Sequence, residues 1–149
     1  MGTQQILMIV LSVIIVGVAV GVGITMFQNQ ARNSNRQAVI SDLQNFRANA
    51  IAFYKMPASM GGGGNGNPGF VGTGTSGAQL RTYLGFPASG NFSNDNGDYS
   101  IPTLQQHTLT INGLGKEIGQ DGETKINVDL VVLVDATTGA ISDTLKINN

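Results

Sequence analysis

The chain has no cysteine, no tryptophan and a single histidine, His107, among its 149 residues. Without cysteine there is no disulfide framework, no thiolate zinc site, no CxxC redox pair and no covalent attachment of c-type haem. Any metal site would have to be built of oxygens, and a histidine-based dyad has one candidate only. The redox compartment stays open, because cysteine-free chains occur on both sides of a membrane. Charge is scarce as well: 11% of residues are Asp, Glu, Lys or Arg, and the formal net charge is −1. With a pI near 5.6 there is no large basic patch, so nucleic acid is not expected as a partner.

The distribution of charge says more than its total. No Asp, Glu, Lys or Arg precedes Arg32, and Ile6 to Phe27 is apolar apart from Ser12, Thr25 and glycines. As a helix rising about 1.5 Å per residue this run reaches roughly 33 Å, enough for a hydrocarbon core of about 30 Å. Three kinds of segment have this composition: a cleaved secretory signal, a permanent signal anchor, and a helix that leaves the bilayer when subunits assemble. A secretory signal needs a basic n-region and a shorter apolar run, and Met1 to Gln5 carry no basic side chain. The first basic residues, Arg32 and Arg36, follow the span, which by the positive-inside rule would leave the rest of the chain in the cytoplasm. A short basic leader removed from in front of Met1 would resolve that conflict, and Met1 is then expected to be a processed N-terminus.

Beyond Phe27 the helical pattern continues in amphipathic form. Val39, Leu43, Phe46, Ala50 and Phe53 recur at steps of four and three, with Arg36, Asp42, Gln44, Arg47 and Asn49 between them. No proline occurs before Pro57, where a glycine-rich run begins to break the pattern. Residues 1–56 can therefore form one rod, roughly 80 Å long if fully helical.

An apolar half-helix, an amphipathic half-helix, a glycine-rich loop and then strands: in this order of elements the chain resembles the type IV pilins. The resemblance covers the whole architecture and is weak in residue identity. It implies a prepilin peptidase that removes a basic leader, a methylated N-terminus, pilus assembly machinery, and a polymer of copies of the chain with the apolar half-helices bundled at its axis. The implied filament-core residues are Met1, Gln5, Ile6, Leu7, Val10, Ile14, Gly17, Gly21, Gly23 and Phe27. Those implied to pack helix on sheet are Val39, Leu43, Phe46, Ala50 and Phe53.

Two departures from the family pattern matter. Gln5 stands where pilins usually carry a glutamate that pairs with a neighbour's terminal amine; glutamine can hydrogen-bond but cannot form the ion pair, and costs less to hold in hydrocarbon. The helix-interior proline of many bacterial pilins is also missing. Gly17, Gly21 and Gly23 could permit the same local extension, each weakening the helix by about 1 kcal/mol relative to alanine. Equally, Gly17-x-x-x-Gly21 has the spacing that lets membrane helices approach closely. Pilins commonly close their C-terminal region with a disulfide, and here a paired strand would have to hold it.

The fold class expected is α+β: the long helix packed on an antiparallel sheet of about four strands, with the glycine-rich loop between. The boundaries are 1–27 for the apolar helix, 28–56 for its amphipathic continuation, 57–97 for the loop with one short helix, and 98–149 for the sheet, with 28–149 as one globular domain. Within the loop, Gly64-x-Gly66-x-x-Gly69 and Gly72-x-Gly74-x-x-Gly77 match the dinucleotide fingerprint, but no strand precedes either, so both read as composition in a flexible surface loop. Ser76 to Gly85 reads as a helix with Ser76 as N-cap and Gly85 as stop. Asn91 to Asp98 reads as a solvated turn, since an EF-hand register puts Phe92 at the first acidic ligand. Tyr99 to Leu104, with Pro102, suits an edge strand. His107 to Ile111, Lys125 to Val134 and Ile141 to Ile147 alternate as half-buried strands.

No catalytic constellation emerges. His107 alternates with Leu109 and Ile111 and has no nucleophile beside it, and Asp129 and Asp135, on one strand, would lie about 20 Å apart, too far for a glycosidase pair. The chain is expected to be no enzyme and to need no cofactor or metal. The aromatic residues Phe27, Phe46, Phe53 and Tyr54 read as ordinary helix packing rather than an electron path. Three functions remain: a pilus-like filament subunit, a single-span anchored domain that never polymerises, and a pseudopilin of a type II secretion system.

Overall fold

The computed structural model describes residues 2–66, 69–72, 77–87 and 90–148. Met1 and Ser76, and Gly74 of the second glycine fingerprint, lie outside the described residues. One helix, α1, runs unbroken through 54 residues from Gly2 to Lys55. Its length follows from the absence of proline and from a hydrophobic stripe that has something to bury against.

What ends α1 is the glycine-rich run, which folds back over the helix terminus. The Gly63 N–H donates to the Phe53 carbonyl at 2.8 Å and the Gly64 N–H to the Met56 carbonyl at 2.8 Å, so the loop supplies donors to carbonyls at and just past the helix end. A Cβ at Gly63 would stand 2.8 Å from the Tyr54 Cα, so only glycine fits. Two 3₁₀ turns, Ala58–Met60 and Gly64–Gly66, shape the segment. Gly62, Gly63, Gly69 and Phe70 are buried, and the Phe70 N–H donates to the Gln106 carbonyl at 2.9 Å. The expected surface loop is present, with Pro57 to Met60, Asn65 and Gly72 exposed, but part of it packs down as a cap on the end of α1.

A short helix, α2 (Gly77–Tyr83), follows. Gly85 terminates it with φ of 81°, and the paired bonds from Gly85 N–H to Thr82 carbonyl and Phe86 N–H to Arg81 carbonyl form a Schellman motif. The chain then enters a five-stranded antiparallel meander: β1 (Phe92–Ser93), β2 (Gly97–Leu104), β3 (Thr108–Ile118), β4 (Lys125–Val134) and β5 (Ile141–Asn148). β1 is the strand beyond the expected four, formed where Phe92 pairs with Tyr99 and Ser93 with Asp98. Because β1 covers only that end of β2, Pro102 meets no ladder partner on its outer side, and it sits at the register shift between Ser100 and Thr103. β4 ends at Val134, so Asp135 belongs to the following turn rather than sharing a strand with Asp129.

One face of the sheet receives α1. Tyr99, Leu109, Ile111, Ile126, Val128, Leu130 and Val132 are fully buried with Val39, Leu43 and Ala50 of the helix, and Phe46 and Phe53 join the same core. Each large apolar side chain so buried contributes about 1.5–3 kcal/mol relative to exposure. Phe46 is the hub of an aromatic cluster, with ring centroids 5.1 Å from Phe86, 5.7 Å from Phe92 and 5.2 Å from Tyr99, all edge-on. Gly113 takes an inward position where a Cβ would meet Val39 at 2.9 Å and Tyr99 at 3.1 Å, so its missing side chain sets how closely helix and sheet approach.

Candidate assembly surface

The apolar side chains of the N-terminal half of α1 stand exposed. Ile6, Leu7, Val10 and Ile14 are 51–71% exposed, Phe27 is 76% exposed, and Gln5 is also exposed. No atom lies within 4 Å of a Cβ built at Gly17, Gly21 or Gly23. The helix is long and apolar enough to cross a membrane, and none of its apolar stretch is buried within the protein. More than a dozen large apolar side chains stand in the open between Ile6 and Phe27. At about 1.5–3 kcal/mol each, leaving them in water costs on the order of tens of kcal/mol, more than the roughly 5–15 kcal/mol that holds a whole domain together. An exposed apolar surface of this size is of the kind that lipid or other apolar helices cover.

The second half of the same helix is already satisfied by its own domain. Val39, Leu43, Phe46, Ala50 and Phe53 are all buried, so they offer nothing to a partner. Polar side chains on the helix also fasten it to the sheet. Half-buried Asp42 accepts hydrogen bonds at Oδ2 from the Tyr99 hydroxyl at 2.6 Å and from the side-chain amides of Asn94 and Asn96 at 2.9 Å each. Burial alone would raise the Asp42 pKa, but the bonds from Asn96, Tyr99 and Asn94 outweigh it and hold the carboxyl below its ordinary value. Burial and then the same carboxylate push the Tyr99 phenol well above its usual range. Two turns earlier, Asn35 donates to the Asn96 carbonyl at 2.8 Å and accepts from the Glu117 N–H at 3.3 Å. The segment expected to be a solvated turn is thus a clasp. Asn94 also accepts from the Asn96 and Gly97 backbone N–H groups at 2.9 Å, which is turn chemistry, but its amide and that of Asn96 face the helix.

The clasp has a partial signature in the Asn/Asp/Gly-rich composition of residues 91–98, which marks a turn without marking what it grips. Asp42 falls among the polar positions between stripe residues, and spacing alone does not distinguish it from a solvated one. His107 is half-buried beside the start of β3, its Nδ1 2.9 Å from the Tyr54 hydroxyl. Burial raises the pKa of that phenol. Among the described residues no group of three or more His, Cys, Asp or Glu converges in a way that could hold a metal ion.

A long apolar N-terminal helix packed through its second half on an antiparallel sheet is a pilin-like architecture. No protein-family model matches the chain, and no curated protein or solved structure is significantly similar to it.

Proposed function

We propose that this chain is the structural subunit of an extracellular type IV pilus-like filament, held in the cytoplasmic membrane before assembly and polymerised through its apolar half-helix. One observation carries the reading: a single helix whose C-terminal half is packed in its own domain along a continuous stripe while its N-terminal half is bare. The partners are then other copies of the chain in a head-to-tail helical polymer that needs no closure. By family resemblance a prepilin peptidase and the pilus assembly machinery act on it, and the chain itself is no enzyme. Hydrocarbon and a helix bundle are both apolar, so moving the helix from one to the other changes little hydrophobic energy, and close packing decides the stability of the fibre.

The test is electron microscopy of material sheared from the cell surface, with the chain identified by antibody. Thin fibres carrying it support the filament; protein confined to the membrane fraction with no fibres points instead to a single-span anchored domain. Fibres too short to leave the periplasm would mark a secretion-system pseudopilin.

A further inference from the structure

Directly after the apolar segment, α1 carries Arg32 and Arg36, one turn apart and therefore on one face. Among the described residues the ion pairs are Arg47 with Asp143 and Lys116 with Asp98, so neither Arg32 nor Arg36, which form a basic collar after the apolar segment, is paired with a carboxylate. The Nε of Arg36 is buried without a hydrogen-bond partner. Both side chains line a notch of about 230 Å³ with Asn29, Asn33 and Gln120, the last contributed by the turn between β3 and β4. Every one of these five side chains can donate hydrogen bonds, two are cationic and none is acidic. Glu117 lies in the adjoining notch, which it shares with Phe27, Arg32 and exposed Ile118.

We propose that this notch binds the phosphate of a membrane lipid headgroup. At about 1.5 Å per residue the Arg32 backbone lies about 7.5 Å beyond Phe27, at the outer edge of a headgroup layer about 5–8 Å thick, and the Arg36 backbone about 13.5 Å beyond it, so Arg36 meets that layer only through the length of its side chain. Helical side chains tend to lean toward the N-terminus, the direction in which an arginine stem at either position would have to extend to meet a headgroup. A phosphodiester oxygen is an acceptor suited to two arginines that have no carboxylate partner, since arginine matches phosphate in planar, paired hydrogen bonds. The β3–β4 turn then rests on the lipid surface and fixes how far the domain stands from it. The geometry serves either leaflet. It rests on the membrane-spanning part of the proposed function and is independent of polymerisation.

The experiment is native mass spectrometry of the full chain in detergent, titrated with phosphatidylglycerol, with a phosphate-free galactolipid, and with inorganic phosphate. Phosphatidylglycerol is expected to bind about tenfold more tightly than the galactolipid. The Arg32→Gln/Arg36→Gln variant should lose that preference with an unchanged melting curve, and Lys55→Gln/Arg81→Gln, which removes equal charge at the far end of the domain, should keep it. Equal binding of the two lipids, retention in the collar variant, or equal loss in the distal variant would overturn the proposal. Displacement of the lipid by millimolar inorganic phosphate would also overturn it, assigning the notch to a free anion. A collar variant that binds lipid normally but forms no fibres would give the arginines to a second copy of the chain instead. Absent fibres with lipid preference intact would count against the filament and leave this site standing; normal fibres with no preference would do the reverse.

Discussion

The two halves of α1 share a backbone and differ in everything else. From Ile6 to Phe27 the apolar side chains point in all directions and stand exposed; from Val39 to Phe53 they form one stripe that disappears into a sheet. A helix apolar all round needs an apolar surrounding, whereas a striped one needs a single face. The difference teaches that the domain's stability is written on one stretch of the rod and leaves the other stretch for the proposed assembly, so each should be breakable alone.

The largest expected effect breaks assembly alone. Gly17→Leu with Gly21→Leu meets open space in the single chain, so membrane insertion and domain melting should be unchanged. In a bundle the added side chains hold neighbouring helices apart, and fibres should vanish from sheared material. Normal fibres from this variant would show that close packing at these glycines does not hold the polymer together.

The next effects break the domain alone. Asp42→Ala strands the Tyr99 hydroxyl and two side-chain amides and should cost about 3 kcal/mol in urea unfolding of the domain, since bonds to a charged group are worth about 1.5–3 kcal/mol each and this site is partly solvated. Gly113→Val drives methyl groups into Val39 and Tyr99 and should cost about 2 kcal/mol by overpacking. Neither should alter the partition of the chain into membranes.

The clasp also predicts a pH dependence. The pKa of Asp42 is lower in the fold than in the unfolded chain, so its contribution is fully present above the unfolded value, about 3.9, and is lost as pH falls through the folded one. Asp121, held low first by its bond from Thr124, and Asp135, held low first by the Thr138 N–H, act in the same direction from exposed turns. Stability measured by urea should therefore fall below about pH 4, and the fall should be shallower in Asp42→Asn. Equal slopes in the two proteins would show that the clasp does not govern it. Smallest of all, Arg47→Gln removes a 2.6 Å ion pair with Asp143 whose side chains are 32% and 30% exposed, and should cost no more than about 1 kcal/mol.

How much of this is readable in the sequence follows the same division. The bare half is legible because a long run without charge is stable only where lipid or other apolar helices surround it, and the stripe because its spacing matches helical periodicity over several turns. The strands with regular alternation, Lys125 to Val134 above all, are legible for the same reason. β3 is only half visible: past Ile111 its inward positions are Gly113 and Gly115, and glycine carries no hydrophobic signal even where a helix lies directly on it. The glycine run after Pro57 misleads in the opposite direction, because close approach to the end of α1 and solvent exposure both select glycine. The Asp42 clasp joins positions more than fifty residues apart, and local pattern contains no term for such a contact.

The separation of the two halves is tested most directly by helical reconstruction of sheared fibres at a resolution that traces the backbone. Residues 6–27 should be bundled at the axis, each surrounded by the same segment of other copies, with the sheet domain outside and its Val39 to Phe53 core unchanged. Fibres with that segment at the surface, or a chain found only in lipid with no fibres at all, would contradict it.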